Sequence, residues 1–194
     1  MKKRFLILLF TQCIISVGFT QNYEKFEFDK IENNINKSIV FQHFKTNYDL
    51  VISKHNVSRN EKNEVFEIIA FKDNLIEKHI VKQNKKSKLI SIKKLRVSKK
   101  TTNNYQKFID NLMESGFFNL KNENINCWVE QKDKSISIAP FDHNLYYFEI
   151  IVKDKYKILY SDCIENHPNA AKKPNEKERL KYWNCLNLFN DYWE

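Results

Sequence analysis

Asp162-Cys163-Ile164-Glu165-Asn166-His167 sets a cysteine and a histidine four residues apart, and Cys185 follows later in the chain. A thiolate and an imidazole at that spacing supply two ligands of a tetrahedral zinc site, with Cys185 as a third. No C-x-x-C or H-x-x-x-H pair accompanies them, so these cysteines read as a disulfide or as buried thiols rather than as a metal centre. Cys163 with His143 or His167 and Asp142 or Asp162 also supplies, on paper, a nucleophile, a base and an orienting carboxylate. Any exported chain with five histidines permits that assembly. Glu149 and Glu130 would serve as the paired carboxylates of a glycoside hydrolase, but both lie in segments that read as solvated strand faces. The only glycines are Gly18 and Gly116, which excludes a Walker loop, a dinucleotide fingerprint and a G-x-S-x-G elbow. No catalytic residue, cofactor or metal is assigned.

Charge and aromatic side chains offer binding chemistry instead. No Asp or Glu occurs between Glu77 and Asp110, whereas Lys82, Lys85, Lys86, Lys88, Lys93, Lys94, Arg96, Lys99 and Lys100 do. Such a stripe, with Lys93, Lys94 and Arg96 at its centre, could meet lipid head groups, anionic glycan or nucleic acid. The favoured reading is an edge strand that lysines protect from aggregation. Tyr146, Phe148, Tyr156 and Tyr160 read as core under a helix rather than as a sugar-stacking platform. Tyr147, Ile151 and Leu159 are expected on the opposite face, where they would form a partner patch if no other segment covers them.

The N-terminus carries the most specific signal. Met1-Lys2-Lys3-Arg4 is a basic region, and residues 5–17 are apolar apart from Thr11, Gln12, Cys13 and Ser16, which reads as a signal peptide over residues 1–20. Gly18 and Thr20 satisfy the small-residue rule if Gln21 is the mature N-terminus. About 15 apolar-leaning residues fall short of the roughly 20 a spanning helix needs, so no membrane span is expected after cleavage. Gln12 stands where lipidation of Cys13 would want a small residue. Losing Lys2, Lys3 and Arg4 lowers the formal charge from +9 to +6, and the mature chain stays basic. Arginine supplies only four of the 33 basic side chains, few for a protein built to grip phosphate, and no nucleic-acid motif is present. The expected compartment is secreted or periplasmic, and the expected partner is another protein or an envelope component, or else an anionic surface.

The elements that would position these groups follow from periodicity. Phe28, Ile31, Ile35 and Ile39 suggest a helix over residues 23–39. A strand follows over 48–53, and a hairpin over 65–71 and 75–81 turns at Asp73-Asn74. A strand over 88–98 carries Ile90 and Ile92 on even positions but Leu95 and Val97 on odd ones, which predicts a bulge near Lys93-Lys94. Tyr105, Phe108, Ile109 and Leu112 define a helix over about 103–115 with Thr102 and Gly116 as caps. A short strand over 135–138 precedes a hairpin over 144–152 and 156–161. A three-residue turn, Lys153-Asp154-Lys155, would oppose Val152 to Tyr156 and gather both aromatic sets on one face. The closing helix, about 175–193, starts at Asn175 with Glu178 in a capping box and turns Tyr182, Cys185, Leu186, Phe189 and Trp193 inward. The expected fold is α+β, a largely antiparallel sheet with the central and C-terminal helices packed on it. Residues 21–194 form one domain with possible halves 21–100 and 101–194. Removing Cys13 leaves Cys127, Cys163 and Cys185. If the closing helix crosses the hairpin, Cys163 and Cys185 can pair, leaving Cys127 free; Cys127 with Cys163 is the rival pairing.

The central helix, Ser115-Gly116-Phe117-Phe118-Asn119-Leu120, the aromatic hairpin with its lysine-rich turn and the closing aromatic helix together resemble small secreted bacterial domains of uncharacterised function. In outline residues 88–194 are similar to emfourin-type inhibitors of thermolysin-like metallopeptidases. That resemblance implies no catalytic residues. The expected function is an exported, non-enzymatic binding domain, as an inhibitor or an envelope accessory protein. A small secreted hydrolase is the competing class and would bring His143 or His167 to a Cys or carboxylate. A polyanion-binding surface protein is the third, and would set the charges of Lys82 to Lys100 on one continuous face.

Overall fold

The computed structural model describes residues 38–57, 61–72, 75–99, 104–125, 129–131, 134–136, 145–153, 155–161 and 176–194. Residues 1–20, most of the helix expected over 23–39, the caps Thr102 and Asn175, and Cys127, His143, Cys163 and His167 lie outside these. In chain order the elements are α1 (Ile39–Phe44), β1 (Leu50–Val57), β2 (Asn63–Lys72), β3 (Leu75–Asn84), β4 (Ile90–Leu95), α2 (Tyr105–Glu114), a 3-10 turn (Phe117–Asn119) and α3 (Asn122–Ile125). They continue with β5 (Val129–Gln131), β6 (Lys134–Ile136), β7 (Leu145–Val152), β8 (Lys155–Ser161) and α4 (Glu176–Trp193).

Six strands form one sheet in the order β4-β3-β2-β1-β7-β8, and β5 pairs with β6 apart from it. Every neighbouring pair in the large sheet is antiparallel, so the fold is α+β. The β1–β7 pairing joins the two halves of the chain in one sheet. Residues Leu50-Val51-Ile52 are apolar on both parities, which suits a strand covered on both faces. Leu50, Ile52, Ile69, Phe71, Phe148 and Ile150 pack one face against α2, the 3-10 turn, α3 and α4. Val51, Phe66, Ile68, Ala70, Val81, Ile151 and Tyr156 form the other core with Val40, Phe41 and Phe44 of α1. Helix α2 presents Phe108, Ile109 and Leu112 at helical spacing and ends at Ser115. Gly116 then adopts φ 73°, the left-handed position a helix terminus asks of glycine. Helix α4 buries Tyr182, Cys185, Leu186 and Phe189, as its sequence period predicts.

Three local expectations are corrected. The β3–β4 ladder runs without a break from Lys78↔Leu95 to Gln83↔Ile90, so there is no bulge at Lys93-Lys94. Ile90 and Ile92 are exposed instead of buried, which removes the phase conflict behind that expectation. In the second hairpin Val152 opposes Lys155, not Tyr156. The turn therefore holds two residues, and Lys153 takes the left-handed φ of 54° that tight hairpin turns favour. Tyr156, Ile158 and Tyr160 consequently share the α1 face with Tyr147, Glu149 and Ile151, while Lys157 and Leu159 share the helix face with Phe148 and Ile150. Lys157 tolerates that buried place because its ammonium donates to the Phe118 carbonyl oxygen at 3.0 Å, leaving its stem to pack.

Candidate functional site

The sheet has two edges, and they are built differently. Along β8 the side-chain amide of Asn122 in α3 acts as a strand's peptide group would. Its Nδ2 donates to the Ile158 carbonyl at 3.0 Å and its Oδ1 accepts from the Tyr160 amide at 3.0 Å. Ser161 Oγ donates to the Ile125 carbonyl at 2.7 Å, closing the same edge further along. The short helix that places Asn122 is held by Ile125, buried in the main core.

At the opposite edge, among the described residues, β4 pairs only with β3. Cross-strand register puts Ile92 beside Val81 and Ile90 beside Gln83 on the α1 face, and Ser91 and Lys93 on the helix face. Ile90 and Ile92 are 40% and 45% exposed, and Leu89 just before them is 73% exposed. Asn84 sets up the tight β3–β4 connection: its Oδ1 accepts from the Lys86 and Ser87 amides at 3.0 and 2.9 Å, and Lys88 then takes φ 58°.

The predicted basic residues meet at this edge but not on one surface. Lys93 lies on the helix face, and Lys94, on the α1 face, bonds Glu77 at 2.5 Å. Arg96 follows the strand's end and is exposed. The charges thus flank an edge strand on both sides and do not form one continuous face.

Glu77 is the centre of a polar cluster that the sequence did not disclose. It accepts from the Tyr48 hydroxyl at 2.6 Å and lies 3.0 Å from His79 Nε2, which is itself 3.2 Å from the Tyr48 oxygen. Burial raises the Glu77 pKa, but hydrogen bonds from Lys94, Tyr48 and His79 outweigh it and hold the carboxyl at about 2. A carboxylate so held is a poor proton acceptor. Burial lowers the His79 pKa against the opposing pull of Glu77, and Phe44 and Tyr48 pack on its ring. The cluster therefore fixes β3 and β4 to α1 and the segment after it.

Glu149, expected on a solvated face, is buried. It accepts hydrogen bonds from Ser38 Oγ and from the Tyr156 hydroxyl, and burial raises its pKa. The side chain of Glu130 lies outside the described residues, as do Asp142, His143, Asp162, Cys163 and His167. Among the described residues no group of three His, Cys, Asp or Glu side chains gathers as a metal site would. Cys185 is a free, buried thiol 3.1 Å from Ser115 Oγ, and its expected partner Cys163 lies outside the described residues. Tyr147, Ile151 and Leu159 do not share an exposed surface. Ile151 and Leu159 are fully buried on opposite faces, because the two-residue turn moves β8 by one residue. Tyr147 stands in a cross-strand row with Tyr160, His55 and Phe66. Burial depresses the His55 pKa to about 4.

No protein-family model matches the chain, and a search of curated proteins returns no match.

Proposed function

We propose that this chain is an exported, non-enzymatic domain that binds another macromolecule through the β4 edge, as an inhibitor or an envelope accessory protein. The supporting observation is the contrast between the two edges: one is capped by Asn122, the other presents Leu89, Ile90 and Ile92 among lysines. Exposed apolar side chains on an edge strand are a liability that a protein without a use for them tends to lose. The basic n-region and apolar stretch at the N-terminus support export. Among the described residues no helix is long and apolar enough to cross a membrane.

Export is tested by the intact mass of the secreted product, expected to begin at Gln21; a full-length, membrane-embedded species would refute it. Binding is tested by capture from the native envelope with mass spectrometry, comparing the wild type with an Ile90→Lys, Ile92→Lys variant. A stoichiometric partner lost with the variant supports the reading. Recovery unchanged by the variant moves the binding surface elsewhere, and turnover of a peptide or glycoside substrate by the purified protein would replace this reading with the hydrolase.

A further inference from the structure

We infer that β4 takes up an extended, acidic segment of a partner protein as a seventh strand of the sheet. The inference rests on the binding reading above and specifies what is bound. In an antiparallel strand alternate residues direct their N–H and C=O groups away from the paired neighbour. Along β8 two of those groups, the Ile158 carbonyl and the Tyr160 amide, meet Asn122. Along β4, whose only neighbour among the described residues is β3, the outward groups form a template for another strand.

Side chains then say what that strand carries. On the α1 face Ile92 continues the cross-strand row Phe66–Val81, whose members are buried while Ile92 is not. An apolar side chain set against Ile92 and Ile90 would extend that row by one strand and cover both isoleucines. On the helix face the exposed neighbours are Ser91 and Lys93, of which Lys93 selects an acidic side chain. Lys88 and Arg96, both exposed, stand at the two ends of the strand, and the run from Lys78 to Phe108 has no acid to offset them. The bound segment therefore alternates apolar and acidic residues with period two.

Charge also decides between the two sources of such a strand. A second copy of this chain, pairing β4 with β4, would bring lysines of one copy against lysines of the other, and like charges across strands destabilise the pair. An acidic partner meets no such penalty. A polyanion would use the charges but leave the isoleucines and the backbone edge without a role.

The test pans a displayed library of random peptides about ten residues long against the full mature chain. Enriched peptides should alternate acidic with β-branched or aromatic residues. A synthetic copy of the best one should bind in fluorescence anisotropy. N-methylation on the edge facing β4 should weaken it at least about tenfold, whereas methylation at the intervening positions should change little. Lys93→Glu should weaken it by about tenfold with an unchanged thermal melt. Peptides without acidic residues, no enrichment, or binding that ignores N-methylation and is displaced equally by heparin would each overturn strand addition. The binding reading fails separately, on an envelope capture that yields no partner dependent on Ile90 and Ile92.

Discussion

Replacing Glu149 with glutamine should make the protein more stable at neutral pH and abolish a specific part of its pH dependence. The carboxyl is buried on β7, and its two donors, Ser38 Oγ and the Tyr156 hydroxyl, are neutral. Ser53, its cross-strand partner on β1, offers only another neutral hydroxyl. Burying an ionised carboxylate costs several kcal/mol, and each hydrogen bond to it returns about 1.5–3 kcal/mol. Burial prevails, since the folded pKa lies above the ordinary 4.5. Stability contributed by the neutral carboxyl is then fully present below about 4.5 and is lost as pH rises through the folded value. Glutamine keeps an oxygen for both hydroxyls and cannot ionise. The net gain for Glu149→Gln at pH 8 should be about 1–2 kcal/mol, shrinking towards zero in acid. Urea denaturation followed by fluorescence from pH 3 to 9 measures it, and amplitude and midpoint check each other, since each unit of pKa elevation is worth about 1.4 kcal/mol. A wild type that gains stability on the variant as pH rises would refute the reasoning, because it would mean that the hydrogen bonds outweigh burial.

Asn122→Ala should cost about 1–2 kcal/mol through two lost edge hydrogen bonds and should increase self-association in sedimentation velocity, because it uncovers the β8 backbone. Lys78 reaches from β3 to the end of α4, where its ammonium donates to the Tyr192 and Trp193 carbonyls at 2.8 Å each. Lys78→Met should therefore cost about 2–3 kcal/mol and speed amide exchange in the last turn of the helix. Burial pushes the Cys185 thiol up to about 11, so at pH 8 it should alkylate on the order of 10²-fold more slowly in native protein than in urea. Its contribution to stability should be present below pH 9 and fall away as pH rises through about 11; peptide mapping after labelling separates it from the other cysteines.

The architecture was legible where one face contrasts with another and illegible where it does not. Helices α2 and α4 pack a single stripe on the sheet, so Phe108, Ile109 and Leu112, and Tyr182, Cys185, Leu186 and Phe189, could be read from spacing alone. The β2–β3 hairpin was equally readable from its apolar runs on either side of Asp73-Asn74. The β7–β8 register was not, because both faces of the sheet are covered and polarity alternation carries little information. Excluding Lys157 from the core implied a three-residue turn, but a lysine can bury its stem when a carbonyl such as that of Phe118 receives its ammonium. Helix α1 was missed because it has only six residues. Its signal was Ser38 ahead of Val40, Phe41 and Phe44, with Ser38 Oγ capping the Phe41 amide at 3.0 Å. Asn122 could not have been recognised, since an asparagine that imitates a neighbouring strand looks in sequence like any loop residue.

The same β4 lysines that read as protection from aggregation also set the terms on which the edge can be used. A sheet edge can be occupied by a side chain, as Asn122 occupies the Ile158 carbonyl and the Tyr160 amide of β8, and a protein that needed only solubility could have covered both edges in this way. Charge blocks selectively: it repels strands that carry the same sign, including a second copy of this chain, and leaves the backbone open to strands of the opposite sign. The exposed Leu89, Ile90 and Ile92 make little sense at a purely protective edge, where polar residues would discourage pairing further. On the strand-addition proposal, the lysines and the isoleucines together would exclude copies of this chain and admit an acidic strand with an apolar face.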